Sequence, residues 1–442
     1  MVVMTSTKQL ARQIFLHTLE SIDIPAVMQR RLTLTRDGSR LVLAEASVDL
    51  AGASCILIVA VGKAAHAMVT GLVGLLPPGT KFRGVVAAPT KPVAPIPGLE
   101  YFVAGHPIPN RDSWRAAEAI LELLKQCDER TVVFFLLSGG GSALVELPLA
   151  PSLKLKDVQE ASHALVTCGA PIDTMNTVRR HLSAIKGGRL ALAAGLARKI
   201  TLAVTDVPAG KEAALASGPS VPDPTTIADV HRILDEYKLL DRFPLPLSQW
   251  IDAGEMPETP KPGHPAFSNA HFQLLLGLDD LFHAAHHAVE AHGYVSCCDN
   301  STDDWPVEKA AIYLLAQLES WQRENPGQRV AVIADGEVSS PVTGTGTGGR
   351  NAAFVLACVE KIAGGKITVL SAGTDGIDGN SPAAGAVADG QSLARAQALG
   401  LDPSKSFRGS DAYTFFSRLD DAIVTGPTGN NLRDLRVLLA EP

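Results

Sequence analysis

The chain has no excess of positive charge: 39 lysines and arginines stand against 46 aspartates and glutamates, a net charge of −7. That balance argues against nucleic acid as a main partner, because a phosphate backbone calls for a basic surface. Cysteine is scarce, six in 442 residues, with no C-x-x-C spacing and with Cys297 and Cys298 adjacent. This excludes a disulfide framework and fits a reduced, cytoplasmic setting. No apolar run approaches the length that crosses a membrane, so no membrane partner is expected. Lys8 and Arg12 interrupt the N-terminus, so no signal peptide is expected. The sequence has no internal repeat, no low-complexity tract, no H-E-x-x-H pattern and no Walker loop.

What remains is a globular composition, 46% hydrophobic and 19% charged, long enough for two or three domains. Leu10, Ala11, Ile14, Phe15, Leu19 and Ile22 mark one face of an N-terminal amphipathic helix. Strand-like and helix-like segments then alternate. Cys55 to Val61, Gly84 to Ala88, Tyr101 to Ala104, Val132 to Ser138 and Ile200 to Thr205 read as strands. Lys63 to Leu76, Ser113 to Gln126, Lys154 to Cys168 and Ile172 to Ile185 read as helices. Such alternation implies an α/β fold with a mostly parallel sheet covered on both faces. Six prolines between Phe243 and Phe267 read as a linker. A second, smaller α/β pattern follows, with strands expected at Val330 to Ala334, Ile367 to Ser371 and Ala422 to Thr425. The expected organisation is therefore an N-terminal domain over 1–242, a linker over 243–267 and a C-terminal domain over 268–442, with a cleft between the domains.

The chemistry concentrates in a few glycine-rich stretches. The apolar run from Val132 to Leu137 stops at Ser138-Gly139-Gly140-Gly141-Ser142. Such a loop at the carboxyl end of a parallel strand suits an anionic group, although a bare tight turn would use the same residues. Gly62-Lys63 follows the first strand and opens a helix, where a lysine can sit over a phosphate. Asn176, Arg179, Ser183 and Lys186 fall on one stripe if the helix runs through them, and Lys186-Gly187-Gly188-Arg189 sets cations beside flexible backbone. Gly344, Gly346 and Gly349 match G-x-G-x-x-G, the dinucleotide fingerprint, but Ser339, Ser340 and Pro341 replace the expected strand before it. Arg350 after that loop is placed instead to clamp a phosphoryl group. Asp375 and Asp378 lie on a glycine-rich loop at a strand end, a pattern that serves Mg²⁺, proton abstraction or simple Asx capping. Asp206, closing another strand, has the same pair of readings. Gly105-His106-Pro107 reads as a turn, and His283, His286 and His287 as a solvated helix face.

Six ordered blocks carry a family resemblance: Ser138 to Leu144; Asn176 to Ala191; Ala216-Ser217-Gly218-Pro219 with Asp223-Pro224-Thr225-Thr226; Gly348-Gly349-Arg350-Asn351; Ser371 to Gly379 with Ala383-Ala384-Gly385; and Thr425 to Gly429. In this order they resemble the class II glycerate kinases of the MOFRL family, over nearly the whole chain. The resemblance implies a Rossmann-like N-terminal domain, a smaller C-terminal α/β domain, and transfer of the ATP γ-phosphate to the 2-hydroxyl of D-glycerate. It places Lys63 and Arg350 among the basic residues expected to line the cleft between the domains, as catalytic candidates, with Asp375 as a third. Ser138 to Ser142, Asn176, Arg179, Lys186, Asp206 and Gly349 become candidates for substrate and phosphate. Asp378 and Glu337 become candidates for Mg²⁺.

The chain departs from the family pattern at Pro89-Thr90-Lys91-Pro92, at Ala209-Gly210-Lys211-Glu212, at Asp335-Gly336-Glu337, where Gly-Gly-Glu is usual, and at Asn430-Asn431. Two rival readings stand beside the kinase. An NAD(P)H-dependent hydroxypyruvate reductase would use the Gly344 to Gly349 fingerprint, and a metabolite sensor would bind without turnover. The expected partners are a small hydroxy acid and a nucleotide, with self-association left open.

Overall fold

A computed structural model of the protein describes residues 6–205, 207 and 210–442. They form two units, Ile24–Gly277 and a split unit that joins the chain up to Asp23 to Leu278–Pro442.

The Ile24–Gly277 unit begins with the helix Ile24–Arg31, followed by a small antiparallel sheet, β1 (Thr33–Leu34), β2 (Arg40–Val42) and β3 (Ser47–Asp49). Its main sheet has six strands: β4 (Cys55–Val61), β5 (Phe82–Ala88), β6 (Leu99–Val103), β7 (Thr131–Ser138), β8 (Arg198–Val204) and β9 (Ala270–Leu276). They run in the order β6-β5-β4-β7-β8-β9, with every pairing parallel. Helices cover a parallel sheet on both faces, so its central strands are apolar without alternation. β7 shows this, with all eight of its residues buried. Renumbered from its first strand, the order is 3-2-1-4-5-6, the Rossmann order expected from the resemblance. The direction of winding reverses between β4 and β7. Ligands of such sheets bind at that reversal, beyond the carboxyl ends of the strands. Here those ends carry Lys63 and the Ser138–Ser142 loop.

The split unit has a mixed sheet of β10 (Val295–Cys298), β11 (Val330–Asp335), β12 (Ile367–Gly373), β13 (Gly385–Asp389), β14 (Ala422–Ile423) and β15 (Asp434–Ala440). The order is β10-β11-β15-β12-β13-β14, parallel only between β10 and β11. β15, the last strand in sequence, lies near the middle of the sheet, and all seven of its residues are buried. The helices Val307–Glu324 and Arg350–Val359 supply Leu314, Leu318, Phe354 and Val355 to its core.

Three boundaries differ from the sequence expectation. The helix Thr7–Ser21 belongs to the split unit, not to a 1–242 domain. Its buried Ala11, Ile14 and Phe15 form the expected apolar face, and Lys8 pairs with Asp421 at 2.9 Å. The stretch 243–267 is not a spacer. It holds the helix Leu245–Asp252, whose Leu247, Trp250 and Ile251 pack with Phe243 and Met256 into a buried cluster. Pro244 and Pro246 sit at that helix's start, where proline's fixed φ and missing N–H cost little. β9 then completes the first sheet, so residues 268–277 belong to that unit rather than to the second. Among the described residues, no helix is long and apolar enough to cross a membrane.

Candidate active site

In the Ile24–Gly277 unit the turns after β4, β6 and β7 meet at the winding reversal. Lys63 N–H donates to the carbonyl of Gly139 at 3.0 Å, and Ala64 N–H donates to Ser138 Oγ at 3.0 Å. These two bonds fix the lysine's backbone to the glycine loop. Gly140 has φ +83°, a left-handed conformation that disfavours other residues. A Cβ there would lie 3.0 Å from His106 Cδ2, 3.2 Å from His106 Nε2 and 3.6 Å from Lys63 Cγ. The short helix Gly141–Leu144 starts at once after it.

Behind this loop runs a chain of hydrogen bonds. Arg179 Nη1 donates to Asn176 Oδ1 at 3.3 Å, and Ser217 Oγ donates to the same atom at 3.1 Å. Ser217 has spent its proton there, so it accepts from Ser142 Oγ at 2.8 Å. Asn176 and Ser217 are buried, as an acceptor shared by two donors requires to stay fixed. Glu146 gathers a second group: Ser183 Oγ donates to its Oε1 at 2.7 Å, and Lys186 Nζ pairs with its Oε2. Burial pushes the Lys186 ammonium below the usual lysine value, and Glu146 opposes that shift. Burial likewise lowers Arg179, with Glu146 again in opposition.

The expected stripe of Asn176, Arg179, Ser183 and Lys186 is therefore not one helix face. The helix ends at Leu182, and Ser183 is extended at φ −106°, ψ 138°. The four residues instead divide between two networks, Asn176 and Arg179 with Ser217 and Ser142, and Ser183 and Lys186 with Glu146, whose charge also acts on Arg179. Asp206 lies outside the described residues. Of the departures from the family pattern, Lys211 pairs with Asp173 at 2.9 Å, and Thr90 accepts from His66 Nε2 at 2.8 Å.

The split unit places its candidates at the ends of β11 and β12 and at the start of β15. Arg350 Nε donates to Asp434 Oδ2 at 2.5 Å, and its Nη1 lies 2.7 Å from Glu337 Oε2. Asp434 is buried and Glu337 exposed, so the guanidinium is anchored on one side and reachable on the other. Asp375 Oδ1 accepts from Ile377 N–H at 3.0 Å, an Asx turn that fixes the loop. Asp335, in the departure from Gly-Gly-Glu, is buried, and burial pushes its carboxyl up to about 6 against the pull of Arg433 and Arg436.

Two expectations change here. Asp378 is not placed to hold a metal: its Oδ1 and Oδ2 each accept at 2.9 Å, from Asn351 and Ala352 N–H at the start of the helix Arg350–Val359. It caps that helix from a distant loop. A Cβ on Gly349 would lie 2.3 Å from Asp378 Oδ1, so Gly349 is required by this cap rather than by a ligand. Glu337 is spent on Arg350, and among the described residues no three His, Cys, Asp or Glu side chains cluster as metal ligands. His283 and His287 are exposed, as expected of a solvated face.

The G-x-G-x-x-G stretch is not a dinucleotide cradle. Gly344 N–H donates to Ser410 Oγ, Gly346 to the Gly409 carbonyl, Thr347 to Asp411 Oδ1 and Gly348 to Asn380 Oδ1. Four donors that would face a pyrophosphate are already used within the protein.

Sequence reasoning read His106 as part of a turn rather than as a catalytic histidine, and missed Glu146, Ser217 and Asp434. Glu146 lies close after the glycine loop, and that carboxylate beside an anion cradle was the available signal. The other three depend on partners distant in sequence.

The family model described as "Domain of unknown function (DUF4147)" matches residues 10–252, and the MOFRL family model matches 330–434. The chain is 34% identical to D-glycerate 2-kinase of Thermotoga maritima, over 86% of this chain and 89% of that one. It is 35% identical to an Agrobacterium vitis protein named provisionally as a hydroxypyruvate reductase, over 87% and 86%. A crystal structure of glycerate kinase (EC 2.7.1.31) from Thermotoga maritima superposes with a TM-score of 0.83, at 30% identity, covering 98% of this chain and 99% of that one. With a family model over more than half its length and a relative this similar across most of both sequences, the chain belongs to the class II glycerate kinases of the MOFRL family.

Proposed function

We propose that this protein transfers the γ-phosphoryl group of ATP to the 2-hydroxyl of D-glycerate, or of a closely related small hydroxy acid, giving 2-phosphoglycerate. The observation that carries the reading is the junction at the winding reversal, where Lys63 is tied to the Ser138–Ser142 loop. Phosphoryl transfer needs cations and backbone donors around a migrating group and little covalent help from protein. Lys63 supplies a charge at that loop, with Asn176, Arg179 and Lys186 in the networks behind it. Arg350, held by Asp434 with one side exposed, is the cation of the split unit.

Mg²⁺ fits this chain as an ion carried by the nucleotide phosphates. Mg²⁺ commonly takes one or two carboxylates and completes its shell with phosphate and water. Asp375, on the loop after β12, is the carboxylate proposed for that role, with Asp378 assigned to helix capping. The ion would neutralise charge on the phosphates, and Asp375 would orient it.

The names of similar proteins favour the kinase, and the occupied N–H groups of Gly344 to Gly348 speak against the reductase. The absence of C-x-x-C spacing and the six free cysteines are compatible with a cytoplasmic setting. The test is a coupled assay of ADP release with ATP, Mg²⁺ and a panel of three- and four-carbon hydroxy acids, with phosphorus NMR to locate the new ester. D-glycerate-dependent ADP release with a 2-phosphate product is the expected outcome. Hydroxypyruvate-dependent NADH oxidation without ADP release would replace the kinase by the reductase.

A further inference from the structure

We propose that His106 is a catalytic residue whose Nε2 takes the proton of the acceptor hydroxyl during phosphoryl transfer; this rests on the kinase reading above. The parallel strands β4, β6 and β7 bring three turns to one edge of the sheet. The first carries Lys63, the second His106 and the third Gly140. The imidazole packs against the bare Cα of Gly140, where a Cβ would stand 3.0 Å from Cδ2, 3.2 Å from Nε2 and 3.6 Å from Lys63 Cγ. The exposed ring thus sits at the glycine loop, in the field of the Lys63 charge, where an acceptor hydroxyl bound at that loop would meet Nε2.

The state of the ring suits a base. Partial desolvation of the ring against the loop, and after it the charge on Lys63, hold His106 below the ordinary histidine value, which favours the neutral imidazole. Lys63 is the charged group that acts on it: the loop after β7 offers glycine backbone, and the ring's own turn offers Gly105 and Pro107. Among the described residues neither ring nitrogen has a hydrogen-bond partner, and the residue is exposed. Three other candidate bases among the described residues of this unit are engaged. Glu146 is bound to Ser183 and Lys186, His66 Nε2 to the Thr90 carbonyl, and His181 is fully buried with Nδ1 on the Thr177 carbonyl.

The step balances. A bond forms between the hydroxyl oxygen and the γ-phosphorus, and the bond from that phosphorus to the β,γ-bridging oxygen breaks. The electron pair of the broken bond leaves on ADP, and the hydroxyl proton passes to Nε2. The exposed ring then returns the proton to water.

The experiment compares wild type, His106→Gln and His106→Ala in the coupled ADP assay with D-glycerate, ATP and Mg²⁺ across pH, with thermal unfolding as the control for fold. The expected result for both variants is a kcat lower by about 10²- to 10³-fold, a KM within about threefold, and loss of the acid limb of the pH profile. Added imidazole should restore part of the rate of His106→Ala, which a merely structural role would not allow. A His106→Gln enzyme that keeps the acid limb, or a kcat within about threefold of wild type, overturns the proposal while leaving the kinase reading in place. A wild-type protein that releases no ADP with any hydroxy acid removes the kinase reading and this proposal with it.

Discussion

Two glycine-rich loops, one in each unit, look alike in sequence and are built for different tasks. Ser138–Ser142 follows a buried parallel strand, and the N–H groups of Gly140, Gly141 and Ser142 meet no acceptor among the described residues. Gly344–Gly349 follows no strand of its own, and four of its N–H groups end on Ser410, Gly409, Asp411 and Asn380. Among the described residues the first loop leaves these donors unspent, in line with the cradle proposed above, while the second spends its own on folding the segment ahead of Arg350. Glycine content alone does not separate a cradle from a stitched loop; the fate of the N–H groups does.

The sharpest way to break this contrast is at the cation beside the first loop. Lys63→Ala should lower kcat/KM by about 10³-fold with thermal unfolding unchanged, because a charge directed at a transferring phosphoryl group contributes on the order of 4 kcal/mol. Arg350→Ala should do the same, with some loss of stability because buried Asp434 loses its partner. Near-wild-type turnover in both variants would sink the assignment of these loops. A smaller effect tests the loops themselves. Gly140→Ala forces a Cβ into a left-handed residue and against His106, so kcat/KM should fall by about 10²-fold with about 1 kcal/mol of stability lost. Thr345→Ala, at an exposed position of the other loop, should change kcat and stability by less than about 0.5 kcal/mol equivalent. Equal sensitivity of the two loops in steady-state kinetics would erase the difference drawn between them.

Features encoded by short-range pattern were legible in the sequence. The apolar run into Ser138 marked β7 and its loop, and the one-sided apolar spacing from Leu10 to Ile22 marked the N-terminal helix. What failed was long-range. Nothing in residues 7–21 says that their apolar face packs in a unit that starts again at Leu278. The prolines of 243–267 suggested a spacer because the same residues that favour linkers also start helices, and Leu247, Trp250 and Ile251 were the counter-evidence in plain view. Asn176, Arg179 and Lys186 were legible as one polar group through their spacing, yet the spacing was right for the wrong reason. The chain leaves the helix after Leu182, and it is Glu146 that brings Lys186 back. Asp378 was legible as a functional carboxylate on a strand-end loop. Only the fold shows that its two oxygens are taken by N–H groups of a helix 26 and 27 residues earlier in the chain.

That cap gives the mildest test, because it sits where the second loop hands over to the helix of Arg350. Burial pushes the Asp378 carboxyl up to about 6, although the N–H groups of Ala352 and Asn351 pull the other way. A carboxyl whose folded pKa lies above its unfolded value of 3.8 takes up a proton on folding in the window between the two. The stability from that proton is complete below about pH 4 and is lost as the pH rises through about 6, a change of about 3 kcal/mol. Asp378→Asn has no proton to lose, so urea unfolding of the variant should lack this part of the decline between about pH 4 and 6. The same slope in wild type and variant would mean that Asp378 is ionised throughout. It would then stand as a charged cap on the positive end of the Arg350 helix, and the second loop would owe its rigidity to that charge rather than to the hydrogen bonds alone.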